Sequence, residues 1–178
     1  DMLFGDPSAL PHPICWIGGL IAKTEKILRK YLPKTEKAEK CGGIFLIFVI
    51  LLVSLTIPAI FLYFIGFFGI LPVFLLETII CWYMLATKSL KKESMAVYKK
   101  LKQNDLKGAR KAVSRIVGRD TQNLTKEGVT KAAVETVAEN TSDGVVAPLF
   151  YMTMFGPLGG VFYKAVNTMD SMVGYKNE

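Results

Sequence analysis

Histidine occurs once in this 178-residue chain and cysteine three times, with no CxxC pair and no G-x-x-x-x-G-K-[ST] loop. Cys15, Cys41 and Cys81 lie far apart without a histidine at ligand spacing, so free thiols are expected and zinc is not. Lacking a Walker A loop, the chain must hold any nucleotide by other means. Period-two alternation of useful length is also missing, which argues against strands and leaves an all-α fold class. Charge is absent from Cys41 to Leu76, and Glu77 is the lone charged residue between there and Thr87. One membrane crossing takes about 20 apolar residues, so this run is too long for one helix and suits two.

What is present arranges itself around that run. The chain reads as a polytopic integral membrane protein in four parts: a polar turn and basic flank (1–40), a transmembrane helical hairpin (41–87), a cytoplasmic helical segment (88–143) and a membrane-associated broken or re-entrant helix with a polar motif (144–178). The hairpin helices are expected near 42–63 and 69–87, with Pro58 a candidate kink. The turn falls in Tyr63–Gly69, where interfacial aromatics meet two glycines. Lysines and arginines crowd both flanks and none lies in the turn, so both flanks are expected on the cytoplasmic side of the cell (inner) membrane. The formal charge of +7 is concentrated there, which fits anionic lipid headgroups; nucleic acid is not expected as a partner. No cleavable signal peptide is evident. The start at Asp1 and the end just after a dense polar motif suggest a fragment.

Beyond the hairpin, Leu90, Val97 and Leu101, then Leu106, Ala109, Val113 and Ile116, recur at helical spacing, with Asn104-Asp105 as the cap between two helices and Gly118 ending the second. Thr125 can cap a third, running to about Asn140 with Val129, Ala133 and Val137 inward. Lys131, Glu135 and Glu139 form one stripe on it, which Asp143 would extend. A solvated face with a Lys131–Glu135 pair explains that stripe; so does a carboxylate cluster holding a divalent cation such as magnesium. Gly118-Arg119-Asp120-Thr121 and Asn140-Thr141-Ser142-Asp143-Gly144 frame the stripe. Each is an ordinary turn alone, and together they offer an arginine and hydroxyls for phosphate.

From Gly144 to Tyr163 charge disappears again, yet Pro148 and Gly156-Pro157-Leu158-Gly159-Gly160 interrupt the run. Broken backbone at membrane depth survives where it is buried in protein or lines a cavity, so a discontinuous helix is expected, with a kinked bundle helix as the alternative. Lys164, Asn167, Thr168, Asp170, Ser171 and Tyr175 follow as a polar cluster beside the membrane. At the other end, Gly5-Asp6-Pro7 and Pro11-His12-Pro13 form a stiff polar turn, where His12 suits a surface role or contact with substrate. Glu77, alone in apolar surroundings, stays outside the proposed site.

These phrases resemble a known family. Gly5-Asp6-Pro7 with Pro11-His12-Pro13, Ala109-Arg110 through Ile116-Val117-Gly118-Arg119-Asp120-Thr121, the block Glu135 to Leu149 (ETVAENTSDGVVAPL), and the block Lys164 to Tyr175 (KAVNTMDSMVGY) look like the adenosylcobinamide-phosphate synthases, the CobD/CbiB family of cobalamin biosynthesis. The likeness covers nearly the whole chain in the family's order; in the apolar hairpin it is one of character only. The family pattern continues past Tyr175 with further motifs and membrane segments.

The resemblance implies a multi-pass membrane ligase that uses ATP and Mg2+ to join an amino alcohol, or its phosphate, to a propionate carboxylate of the corrinoid adenosylcobyric acid. A carboxylate is a poor acyl donor, so ATP must activate it before the amine attacks. In that scheme Asp120, Glu135, Glu139 and Asp143 share the metal, and Arg119 and Lys164 hold phosphate oxygens. Thr121, Asn140, Ser142, Asn167, Thr168 and Ser171 orient substrate, Asp170 takes the proton from the attacking ammonium, and Asp6 and His12 reach in from the N-terminal side. A transporter using the broken helix and Glu77, or a noncatalytic membrane sensor on the same scaffold, are the competing readings, and oligomerisation is left open.

Overall fold

The computed structural model describes residues 13–118 and 120–174. Every regular element among them is helical: α1 (Pro13–Tyr31), α2 (Glu36–Gly66), α3 (Ile70–Met84), α4 (Thr87–Lys102), α5 (Leu106–Val113), α6 (Lys126–Thr141), a π turn (Ser142–Val146) and α7 (Ala147–Val173). They fall into two compact units, one built from residues 13–84 with 148–174 and the other from 85–147.

In the first unit, α2 begins six residues before the expected boundary. The Thr35 side chain accepts the Ala38 N–H, Glu36 and Glu39 sit in the first turn where the helix dipole favours acids, and Lys40 pairs with Glu36 at 2.7 Å. Its far end turns over at Phe67–Gly69, where Gly69 takes a φ of 106° that a side chain would resist. α3 stops at Met84, short of the predicted 87, because Leu85 and Ala86 leave helical geometry before α4 starts. Ile44, Phe45, Phe48, Phe61 and Phe74 are exposed along α2 and α3, the surface expected of helices whose solvent is hydrocarbon. Three helical stretches, Glu36–Gly66, Ile70–Lys102 and Lys126–Val173, are long and apolar enough to cross a membrane.

α1 occupies what the sequence suggested was only a polar turn and basic flank. Ile17, Ile21 and Thr24 recur on its inward side, and Ile17 and Ile21 pack with Leu46, Ile50, Ala165 and Met169 into one core. Where α2 is surrounded by hydrocarbon, this core is held by close van der Waals packing, since lipid tails are as apolar as Ile50 itself. α7 is interrupted as anticipated: Gly156 adopts φ 66°, ψ −163°, immediately before Pro157, which lacks the N–H that helix continuation would need.

The second unit has its own core of Val97, Ala109, Ala112, Val113, Val129 and Ala132, shared by α4, α5 and α6. Asp105 caps α5 through the Gly108 N–H at 2.8 Å, and Asn104 before it takes a positive φ of 54°. α5 ends at Val113, five residues before Gly118. Arg115 and Ile116 bond to carbonyls three residues back, tightening the chain into turns, and the Ser114 hydroxyl folds onto Lys111 O. Thr125 caps α6 as predicted, its hydroxyl accepting from Gly128 N–H at 3.1 Å.

Candidate functional site

The predicted site residues divide between the two units, and Asp6, His12 and Arg119 lie outside the described residues. In the 85–147 unit, Asp120 and Thr121 sit on the loop between α5 and α6. The Asp120 carboxylate accepts the Gln122 N–H at 2.9 Å, a local turn of the kind aspartate favours. Thr121 is buried and its hydroxyl donates to Arg110 O at 3.2 Å, while Arg110 Nε donates to Leu124 O at 2.7 Å. These bonds fasten the loop to α5 from both sides.

On α6, Glu135 lies 3.9 Å from Lys131, both exposed, and Glu139 is exposed as well. Among the described residues no three His, Cys, Asp or Glu side chains gather closely enough to hold a metal ion. Asp120, Glu135, Glu139 and Asp143 therefore do not make a ready three-ligand cage. Magnesium is commonly bound through one or two carboxylates plus substrate phosphates, and the residues present fit that mode rather than a cage.

The ENTSDG block holds a feature the sequence reading missed. Asn140 Nδ2 donates to Thr136 O at 2.9 Å and Thr141 Oγ1 to Val137 O at 2.6 Å; then Ser142 to Val146 wind as a π turn, with the Ala147 N–H reaching back to Ser142 O. π turns are rare and concentrate at functional positions. The signal was present in composition: Asn, Thr, Ser, Asp and Gly in succession are weak helix formers that compete with the helical ladder. Gly144 lies inside the turn, where its carbonyl accepts the Ala86 N–H at 3.0 Å, and Asp143 is half-buried beside it.

In the membrane unit, the polar residues of α7 split onto two faces. Lys164, Asn167, Thr168 and Ser171 follow the i, i+3, i+4, i+7 rule, whereas Asp170 falls on another stripe. Lys164 is buried. The hydroxyls of Thr168 and Ser171 donate to their own helix, to Lys164 O at 2.7 Å and Asn167 O at 3.0 Å, so each is committed as a donor and keeps acceptor capacity.

Asp170 instead opens on a cleft of about 990 Å³ between α1, the start of α2 and the end of α7. Its floor includes Leu46, Val166 and Met169; Glu25, Arg29, Lys34 and Glu39 carry its charge. Arg29 and Glu25 pair at 2.8 Å. From sequence, the basic residues of this flank serve membrane topology alone and Glu25 and Glu39 have no role, because scattered charges on a flank give no distinguishing pattern.

Helices alone make up the regular structure among the described residues, and three stretches are long and apolar enough to cross a membrane, which defines a polytopic helical membrane protein. A family profile described as "CobD/Cbib protein" matches residues 1–178, and the chain belongs to that family. It is similar to proteins named "Cobalamin biosynthesis protein CobD". That of Clostridium tetani is 43% identical over 179 residues, covering 100% of this chain and 56% of the relative. That of Geobacter metallireducens is 46% identical over 180 residues, with 100% and 55% covered. The one from Listeria monocytogenes serotype 4b is 46% identical over 182 residues, with 100% and 56% covered. The chain thus spans a little over half the length of the curated relatives it matches. No solved structure matches it at comparable stringency.

Proposed function

We propose that the protein to which this chain belongs acts in cobalamin biosynthesis. It would join an amino alcohol phosphate to a propionate carboxylate of adenosylcobyric acid, with ATP consumed. The observation that carries this reading is the family match over all 178 residues, together with the motif blocks from Gly118 to Thr121, Glu135 to Leu149 and Lys164 to Tyr175.

The chemistry asks three things of the protein. A phosphate chain must be held and its charge offset while the carboxylate is activated as a mixed anhydride. Arg119 and the Asp120 loop are the residues assigned to that work, and a magnesium ion bound with the nucleotide would supply charge neutralisation. The amine must arrive close to the activated carbon and lose a proton as the C–N bond forms and the leaving group departs, phosphate from an acyl phosphate or AMP from an adenylate. Asp170, exposed in a cleft with apolar walls and charges of both signs, is the group assigned to take that proton. Asn140 and Ser142 in the 85–147 unit, and Asn167, Thr168 and Ser171 in the membrane unit, are assigned to orienting substrates through hydrogen bonds, and Glu135, Glu139 and Asp143 contribute negative charge to the first of these units. Catalysis is assigned to the cytoplasmic side, where the basic flanks belong by the positive-inside tendency.

The test is reconstitution of the full-length protein with adenosylcobyric acid, magnesium ATP and aminopropanol phosphate. Product formation that is lost in Asp143→Ala and Asp170→Asn, both still folded, supports the assignment. Wild-type protein that makes no amide with any amino alcohol rejects it.

A further inference from the structure

We propose that the cleft between α5 and the loop that follows it is a polyphosphate site, seating the phosphate chain of a magnesium nucleotide. This deepens the functional reading above and rests on it in naming ATP as the source of that chain. Lys107, Arg110, Lys111 and Ser114 lie at i, i+3, i+4 and i+7, one face of α5, and together with Asp120 and Thr121 they line a cleft of about 430 Å³. That volume is within the range of about 300–1,000 Å³ typical of small-molecule sites.

Three cations on one face of an eight-residue helix repel one another. Among the described residues no ion pair joins any of them to a carboxylate, so the cluster keeps its positive charge available to an incoming anion. Arg110 is already positioned: its Nε is held by Leu124 O at 2.7 Å and its own carbonyl by the buried Thr121 hydroxyl at 3.2 Å. Its terminal NH2 groups are left to fork onto phosphate oxygens.

Asp120 refines the choice of ligand. A carboxylate in the cleft opposes a bare phosphate but favours one that brings a divalent cation, since magnesium bridges a single protein carboxylate to phosphate oxygens. An anionic lipid headgroup offers the same phosphate chemistry without that cation. The combination of two lysines, one fixed guanidinium and one acid therefore selects a metal-bearing polyphosphate, held without the loop that P-loop proteins use.

The experiment uses the full-length protein in lipid nanodiscs. Lys107→Gln/Lys111→Gln is expected to raise the KM for magnesium ATP about tenfold and leave the KM for the amino alcohol phosphate unchanged. Inorganic triphosphate should compete with ATP in the wild type and do so more weakly in the variant. Asp120→Asn should raise the magnesium concentration needed for half-maximal rate. An unaltered KM for ATP in the double variant overturns the proposal. So does a variant that keeps its KM for ATP but loses binding to cardiolipin vesicles, which would assign the cleft to lipid. If the wild type forms no amide, titration with magnesium and inorganic triphosphate decides separately. Binding that depends on Lys107 and Lys111 keeps this site while removing the amide-forming reading, and lysine-independent binding, or none, overturns the site as well.

Discussion

The carboxylate of Asp105 accepts the Gly108 N–H at 2.8 Å and meets the Lys100 ammonium at 3.0 Å. The Gly108 amide first, and then Lys100, hold its pKa below the ordinary carboxylate value. A group whose folded pKa is depressed stabilises the fold above its unfolded pKa, about 3.9 for aspartate, and that stabilisation is lost as pH falls through the lower folded value. Amide exchange in α5 should therefore accelerate, beyond the intrinsic pH effect, as the protein is taken below about pH 4. Asp105→Asn keeps a capping oxygen and should flatten that acid response. The Asn104-Asp105 cap and the Thr125 cap were legible in the sequence because a capping side chain acts within three residues of itself. Asp170's neighbours were not, since Glu25, Arg29, Lys34 and Glu39 reach its cleft only through packing of α1 and α2 against α7.

Helix ends and interruptions obey the same division between local and distant causes. Gly156-Pro157 announces a break in any helix, and α7 breaks there. Gly156→Val would force a β-branched residue to φ 66°, ψ −163°, a glycine region, at a cost of roughly 1–3 kcal/mol. The thermal midpoint of the detergent-solubilised protein should fall. Gly43→Ala is the control, because a Cβ there meets nothing within 4 Å and alanine favours the helix; its midpoint should hold or rise. The early end of α5 at Val113 was hidden because Val113 and Ile116 keep helical spacing even though the chain between them has tightened into turns. The π turn was hidden for a related reason: periodicity shows that apolar residues share a face, and a surplus residue shifts the phase without erasing the pattern.

For the molecule as a whole, the charge-free run and its basic borders were decisive, since a bilayer imposes length and polarity on every crossing helix. The hairpin they predict has a sidedness that can be measured. In sealed vesicles and a cysteine-free background, Phe68→Cys in the turn and Gln103→Cys after α4 should react with an impermeant maleimide from opposite faces. Labelling of both from one face would undo the assigned orientation. Among the described residues four acids at suggestive spacing do not gather as three ligands of one ion, because helix periodicity aligns residues without making them converge. The brevity of α5 has a thermodynamic corollary. Eight residues are too few for an isolated helix to persist in water, so its three cations disperse in the unfolded chain and are concentrated only when α4 and α6 enclose its other side. Occupancy of that cleft and folding of the surrounding helices are linked equilibria, so any anion that prefers the gathered charges also shifts the population toward the native state.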